Sequence, residues 1–171
     1  MNLIYIVILT ITFSFTGCKP ASDTPNDAQE SVFFLVRHSE KVDESEDPPL
    51  SEVGQQRAQT LVSLLRDAGI ESIYSSDFVR TRDTAAPLME ALGIEMSLYD
   101  PKNLPQLAKE LLAVSGRYLV VGHSDTTPEL VRLLGADPGS DIGHNEYDRL
   151  YVLVYRPGLG TTTTLLRFEP R

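Results

Sequence analysis

The sequence predicts an α/β fold: a three-layer sandwich whose mostly parallel sheet is flanked by helices, with a C-terminal antiparallel hairpin at the edge. Three observations predict it. From Val32 to Leu134, short apolar runs alternate with stretches of helical period. The strongest of those runs are continuous rather than alternating, as strands covered on both faces are. Beyond Leu134 the alternation stops, and two strand-like runs follow each other across a Pro-Gly turn.

Each element has its own signal. Val32–Val36 is apolar and rich in β-branched residues, and is the first strand; Glu40 to Pro49 is an acidic, proline-containing loop. Ser51 is the N-cap candidate for a helix carrying Val53, Ala58, Leu61, Val62, Leu64 and Leu65, ended by Gly69. Ile70–Tyr74 is the second strand. Ser76 or Asp77 is expected to cap the next helix, which passes Ala91 and Leu92 and stops at Gly93. Pro87 inside that helix should kink it or delay its start. Ile94–Leu98 reads as a weak strand, Leu104–Val114 as a helix and Arg117–Val121 as the third strong strand. Thr127–Leu134 is a short helix ending at Gly135. Tyr147–Tyr155 and Thr161–Phe168 form the hairpin around Pro157-Gly158.

Composition narrows the function. A chain of 171 residues holds one full-sized domain and not two. Its net charge of −9, with no basic stretch, argues against nucleic acid and anionic headgroups as partners. A phosphate-bearing substrate therefore needs a locally positive pocket. The single cysteine, Cys18, excludes an intrachain disulfide and a cysteine-cluster metal site. Leu3 to Phe15 is an apolar run of the length of a secretory signal core, and Thr16-Gly17-Cys18 behind it resembles a bacterial lipobox. That resemblance implies a lipoprotein-type signal over 1–17, acylation of Cys18, and a lipid-anchored location at the bacterial cell envelope. An uncleaved anchor and an ordinary signal with an incidental cysteine are the alternatives. Residues 18–30 read as a disordered tether reaching on the order of 20 Å, and the folded domain spans 31–171.

Chemistry-bearing residues gather at strand ends. Arg37-His38 follows the first strand, Arg80 lies just beyond the second, and His123 ends the third. In an open parallel sheet, ligands bind outside the carboxyl ends of the strands. If the three strands are neighbours, two histidines and two arginines converge on one anion site. The surrounding residues spell a longer pattern. Arg37-His38-Ser39-Glu40-Lys41, the Leu50-Ser51-Glu52-Val53-Gly54 helix start, the segment Ser75-Ser76 to Thr84-Ala85 with Arg80 inside it, and Gly122-His123 occur in that order. Together they resemble the histidine phosphatase (phosphoglycerate mutase-like) superfamily, and Glu40-Lys41 is similar to its small Arg-His-Ala-Glu-Lys subgroup.

The resemblance implies roles. His38 becomes the nucleophile and carries a phosphohistidine, while Arg37, Arg80 and His123 surround the phosphoryl oxygens. Elementary chemistry agrees, because phosphoryl transfer asks a protein mainly for positioning and positive charge, and arginine binds phosphate through paired hydrogen bonds. Ser76 and Glu40 are further candidates for substrate contact. Two acids are candidates for protonating the leaving oxygen, Asp125 and Glu40, with Asp125 preferred. No cofactor is expected, and no metal is required, because the arginines and His123 supply the charge. Five carboxylates from Glu40 to Asp47 disfavour a multiply charged substrate, so a small phosphomonoester or a phosphoprotein is expected and mutase activity is not.

Three functions compete. The first is a metal-independent phosphatase. The second is a catalytically weak module that binds phosphorylated ligands at the cell envelope. The third is a metallohydrolase built on His38, His123 and Asp125. An Asp141, His144 and Glu146 metal cluster fits no ligand spacing, and His144 reads as structural or solvent-facing.

Overall fold

The structure, a computed structural model, describes residues 30–170. The expected signal peptide, most of the tether and Cys18 lie outside the described residues. Ten elements follow in order. They are β1 (Ser31–Arg37), α1 (Glu52–Leu65), β2 (Ser72–Ser76), α2 (Val79–Leu92), β3 (Met96–Tyr99), α3 (Leu104–Ala113), β4 (Arg117–Gly122), α4 (Thr126–Leu133), β5 (Arg149–Arg156) and β6 (Gly160–Arg167). They build one six-stranded sheet in the order β3-β2-β4-β1-β5-β6. The first four strands in that order run parallel, and β5 and β6 add antiparallel at the β1 edge.

Alternation of side chains along the strands divides the core between the two faces. Val32, Phe34 and Val36 of β1 pack with Leu61 and Leu65 of α1 and Leu88 of α2. Phe33 and Leu35 point the other way, into Leu107 and Leu111 of α3 and Leu130 and Leu134 around α4. The three-layer expectation is met. The same arrangement makes β2, β4 and β1 adjacent and parallel, so their carboxyl ends open side by side.

Two local details differ from the sequence reading. Neither Ser76 nor Asp77 caps α2; its N-cap is Phe78, which makes no side-chain cap bond. The acidic loop supplies the cap instead, because Asp47 Oδ1 accepts the Val79 N–H at 2.8 Å. Ser76 is committed to other hydroxyls and to His123, and Asp77 pairs with Arg82. The helix runs from Val79 to Leu92 with Pro87 inside it.

Gly54 is required by packing. Ser51 caps α1 by accepting the Gly54 N–H at 3.1 Å, while its own N–H donates to the Glu40 carbonyl at 2.9 Å. A Cβ at Gly54 would stand 2.1 Å from that same carbonyl oxygen, a backbone atom that cannot swing aside. Gly54→Ala is therefore expected to destabilise the fold by about 3 kcal/mol, the upper end of ordinary overpacking. The shift in urea midpoint at unchanged slope measures it, and an unshifted midpoint contradicts the contact.

Candidate active site

Each strand end delivers its side chain through a backbone bond that fixes the exit of the chain. The His38 N–H donates to the Gly122 carbonyl at 2.8 Å, tying the end of β1 to the end of β4. The Ser39 N–H donates to Thr84 Oγ1 at 2.9 Å, and Thr84 in turn donates to the Arg80 carbonyl at 2.7 Å. The His123 N–H donates to Thr126 Oγ1 at 2.9 Å. The turns carrying His38, Arg80 and His123 are thus held by short side-chain hydrogen bonds.

The two imidazoles face each other with ring centroids 5.5 Å apart and planes 66° apart. His38 is 4% exposed, and its Nδ1 lies 2.7 Å from the Ser39 carbonyl oxygen. A carbonyl can only accept, so the neutral ring carries its hydrogen on Nδ1 and leaves Nε2 with a free lone pair. Burial pushes the pKa of His38 down to about 3; the Ser39 bond opposes this, and Arg37, His123 and Arg80 add to the lowering.

His123 follows the same logic with different partners. Its Nδ1 stands 3.5 Å from Arg80 Nη2, an obligatory donor, and its Nε2 is 2.9 Å from Ser76 Oγ. Ser76 Oγ donates onward to Thr81 Oγ1 at 3.1 Å, so Ser76 accepts the Nε2 hydrogen of the neutral ring. Burial, then Arg80, bring its pKa down to about 4, with Asp125 acting in the opposite sense. A phosphate dianion between the rings opposes the arginines and favours a proton on His123.

The pH consequence has a definite sign. Unfolded histidines titrate near 6.5, and the two folded rings stay neutral down to about 3 and about 4. Below about pH 6.5 the unfolded chain takes up protons that the folded one refuses, so stability falls with falling pH. The thermal midpoint is expected to drop between pH 6.5 and 4, and to drop less in a His38→Ala variant. Equal slopes in the two proteins contradict the burial of a neutral ring.

The arginines complete the wall. Arg37 is 6% exposed; its Nη1 donates to the Gly143, His144 and Glu146 carbonyls at 3.0, 2.8 and 3.0 Å. Its guanidinium lies 4.1 Å from the centroid of the Tyr147 ring. Its Nε has no acceptor, and among the described residues it is the one buried side-chain nitrogen or oxygen without a partner. Arg80 lies 4.3 Å over the Phe78 ring and contacts the Glu46 carbonyl and Asp47 Oδ1 at 3.3 and 3.4 Å. Phe78 also meets His123 edge-on, with centroids 5.0 Å apart. Arg37, His38, Arg80, His123 and Asp125 border one cavity of about 620 Å³, which Lys41 and Lys102 also line.

Three sequence candidates change their places. Glu40 does not border the cavity. It grips Arg57 with both oxygens, at 2.7 to 3.0 Å, and anchors the loop after His38 to α1. It is neither a free acid nor a substrate ligand. Ser76 is fully buried behind His123, where it orients the ring instead of touching substrate. His144 lines the cavity, 3.5 Å from Glu44, and so borders the site that the sequence left it out of. Asp125 is exposed and caps α4 by accepting the Thr126 N–H at 2.9 Å. Among the described residues no three His, Cys, Asp or Glu side chains are grouped to hold a metal ion, and Glu146 is bound to Arg149 and Arg167.

Residues 33–101 are similar to the histidine phosphatase superfamily, branch 1. A curated relative from Yersinia pestis, named "Probable phosphoglycerate mutase GpmB", is 36% identical over 76 residues. The matched stretch is 40% of this chain and 35% of that protein, so the chain spans about a third of the relative's length. Solved structures align over far more of the chain. "Mycobacterial hydrolase 1" superposes with a TM-score of 0.67 at 15% identity, covering 82% of this chain and 99% of its own. A protein histidine phosphatase SixA complexed with tungstate gives 0.63 at 18%, covering 81% and 97%. A mycobacterial glucosyl-3-phosphoglycerate phosphatase gives 0.64 at 14%, covering 83% and 100%. At such identities the histidine phosphatase likeness speaks for the fold alone.

Sequence reasoning passed over Tyr147 and Phe78, the two rings on which the arginines rest. Tyr147 sat at the start of a strand pattern and Phe78 in a variable position of a motif. Neither position carries a signal of its own, because each matters only through an arginine distant in the chain.

Proposed function

We propose that this protein is a metal-independent phosphomonoester or phosphohistidine hydrolase working through a phosphohistidine on His38. One observation carries the reading: a buried His38, with Nδ1 tied to a carbonyl, faces His123 in a cavity that Arg37 and Arg80 also line. Nε2 attacks phosphorus in line with the ester oxygen. The P–O bond breaks as the N–P bond forms, and Arg37, Arg80 and His123 take up the charge on the remaining oxygens. Water then attacks the phosphohistidine, restoring His38 and releasing inorganic phosphate. Hydrolysis of p-nitrophenyl phosphate in excess EDTA tests the class. Turnover with chelator is expected. Loss of turnover on chelation favours a metallohydrolase, and binding without turnover favours a phospho-ligand module.

Asp125 is the proposed acid for the leaving oxygen. One of its oxygens caps α4 and the residue borders the cavity beside His123. Asp125→Asn is expected to lower kcat for an alkyl phosphate by about a hundredfold. Turnover of p-nitrophenyl phosphate should change little, because that leaving group departs without a proton. Equal retention on both substrates removes Asp125 from the role. The membrane anchor belongs to the same proposal, with Cys18 as the acylated residue. Fatty-acid labelling that survives Cys18→Ala refutes it.

A further inference from the structure

We propose that Glu146 is a positioning residue that aims Arg37 at the phosphoryl oxygens, coupling the C-terminal hairpin to the pocket. The inference rests on the hydrolase reading above. Arg37 Nη1 has two hydrogens and finds three carbonyls converging on it, those of Gly143, His144 and Glu146. Carbonyls of one short loop converge on an atom only if the loop is closed into a fixed turn. Glu146 closes it twice. Its N–H donates to the Gly143 carbonyl at 3.0 Å, and its Oε2 accepts the Gly143 N–H at 2.9 Å.

The carboxylate is itself held from outside the loop. Arg149, the first residue of β5, grips it with Nε–Oε1 at 2.6 Å and Nη2–Oε2 at 2.8 Å. Arg167, the last residue of β6, adds Nη1–Oε1 at 2.8 Å. Arg149 is 4% exposed and also holds the Ser140 and Asp141 carbonyls at 2.7 and 2.9 Å. The base of the hairpin therefore fixes the start of the loop through Arg149 and its end through Glu146. Tyr147, next in the chain, supplies the ring on which Arg37 lies.

Glu146 touches Arg37 through its backbone oxygen, while its carboxylate is spent on Gly143 and the two hairpin arginines. Its part in the reaction is to make the acceptors of Arg37 rigid. A guanidinium with one nitrogen spent on fixed carbonyls keeps its plane, and its remaining donors meet the anion without a further ordering cost.

A double-mutant comparison with p-nitrophenyl phosphate turnover and competitive inhibition by inorganic phosphate tests this in the full chain. Glu146→Ala is expected to lower kcat/KM and to raise the phosphate inhibition constant, each by about tenfold to a hundredfold, the range for removing a residue that orients another. Glu146→Gln should recover part of this, since its amide oxygen still accepts from Arg149. In an Arg37→Ala background, either substitution at 146 should cost nothing further. Losses that simply multiply with that of Arg37→Ala overturn the proposal, because a merely structural residue acts independently of Arg37. Should Glu146→Ala prove too unstable to assay, Glu146→Gln in the two backgrounds decides by the same criterion. A wild-type protein that neither turns over nor binds phosphate overturns the hydrolase reading and this inference together. An active wild type with multiplying losses overturns the inference alone.

Discussion

His38→Ala is expected to lower kcat by on the order of a hundred-thousandfold or more, as loss of a covalent nucleophile does elsewhere. The size follows from the role and not from binding. His38 is the buried ring at the cavity whose Nδ1 is tied to a carbonyl, leaving Nε2 for attack, and the other wall groups cannot replace it. Arg37 and Arg80 are permanently charged, and His123 has one nitrogen facing Arg80 and the other spent on Ser76. The inhibition constant for inorganic phosphate should move far less than kcat, since both arginines remain. Single-turnover and steady-state rates on p-nitrophenyl phosphate measure the effect. A loss of only tenfold would mean that water attacks phosphorus directly and that His38 merely lines the pocket.

Arg37→Ala is expected to reduce kcat by about a hundred- to a thousandfold, the scale of losing one preorganised donor to a developing charge. It should also destabilise the fold, because three carbonyls in the 143–146 turn lose a common donor and the Tyr147 ring loses its cation. Arg37→Lys distinguishes the two consequences. An ammonium on a flexible stem can satisfy some of those carbonyls and restore stability. It cannot do that and still present planar donors to an oxyanion. Recovery of the thermal midpoint without recovery of kcat is the expected pattern, and the two measured together test it. Full recovery of both would mean that Arg37 contributes charge and no geometry.

Much of this site was legible because it is written at strand ends. Apolar runs terminating in Arg37-His38 and Gly122-His123 could be seen without knowing the sheet order, and the Arg80 segment followed from its spacing. The sheet then brought β2, β4 and β1 together, which is all that convergence required. Pairings across the fold were not legible. Glu40 looked like a free acid beside the nucleophile because nothing in the sequence says that Arg57, a full turn into α1, will take both its oxygens. Ser76 read as a cap and as a candidate for substrate contact. Its side chain instead turns inward to His123 and Thr81. The clamp on Arg37 is made of backbone carbonyls, and carbonyls have no residue signature at all. The loop that bears them read as a polar connection, and only the arginines of the hairpin show why it is rigid.

The most direct test is to catch the intermediate. Turnover of a radiolabelled phosphomonoester, stopped in denaturing alkali where a phosphohistidine survives, should leave label on the protein. The label should be lost on acid treatment, localise to His38 by peptide mass spectrometry and be absent from His38→Ala. A fully active enzyme that retains no label, or carries it on Asp125 or His123, would contradict the account.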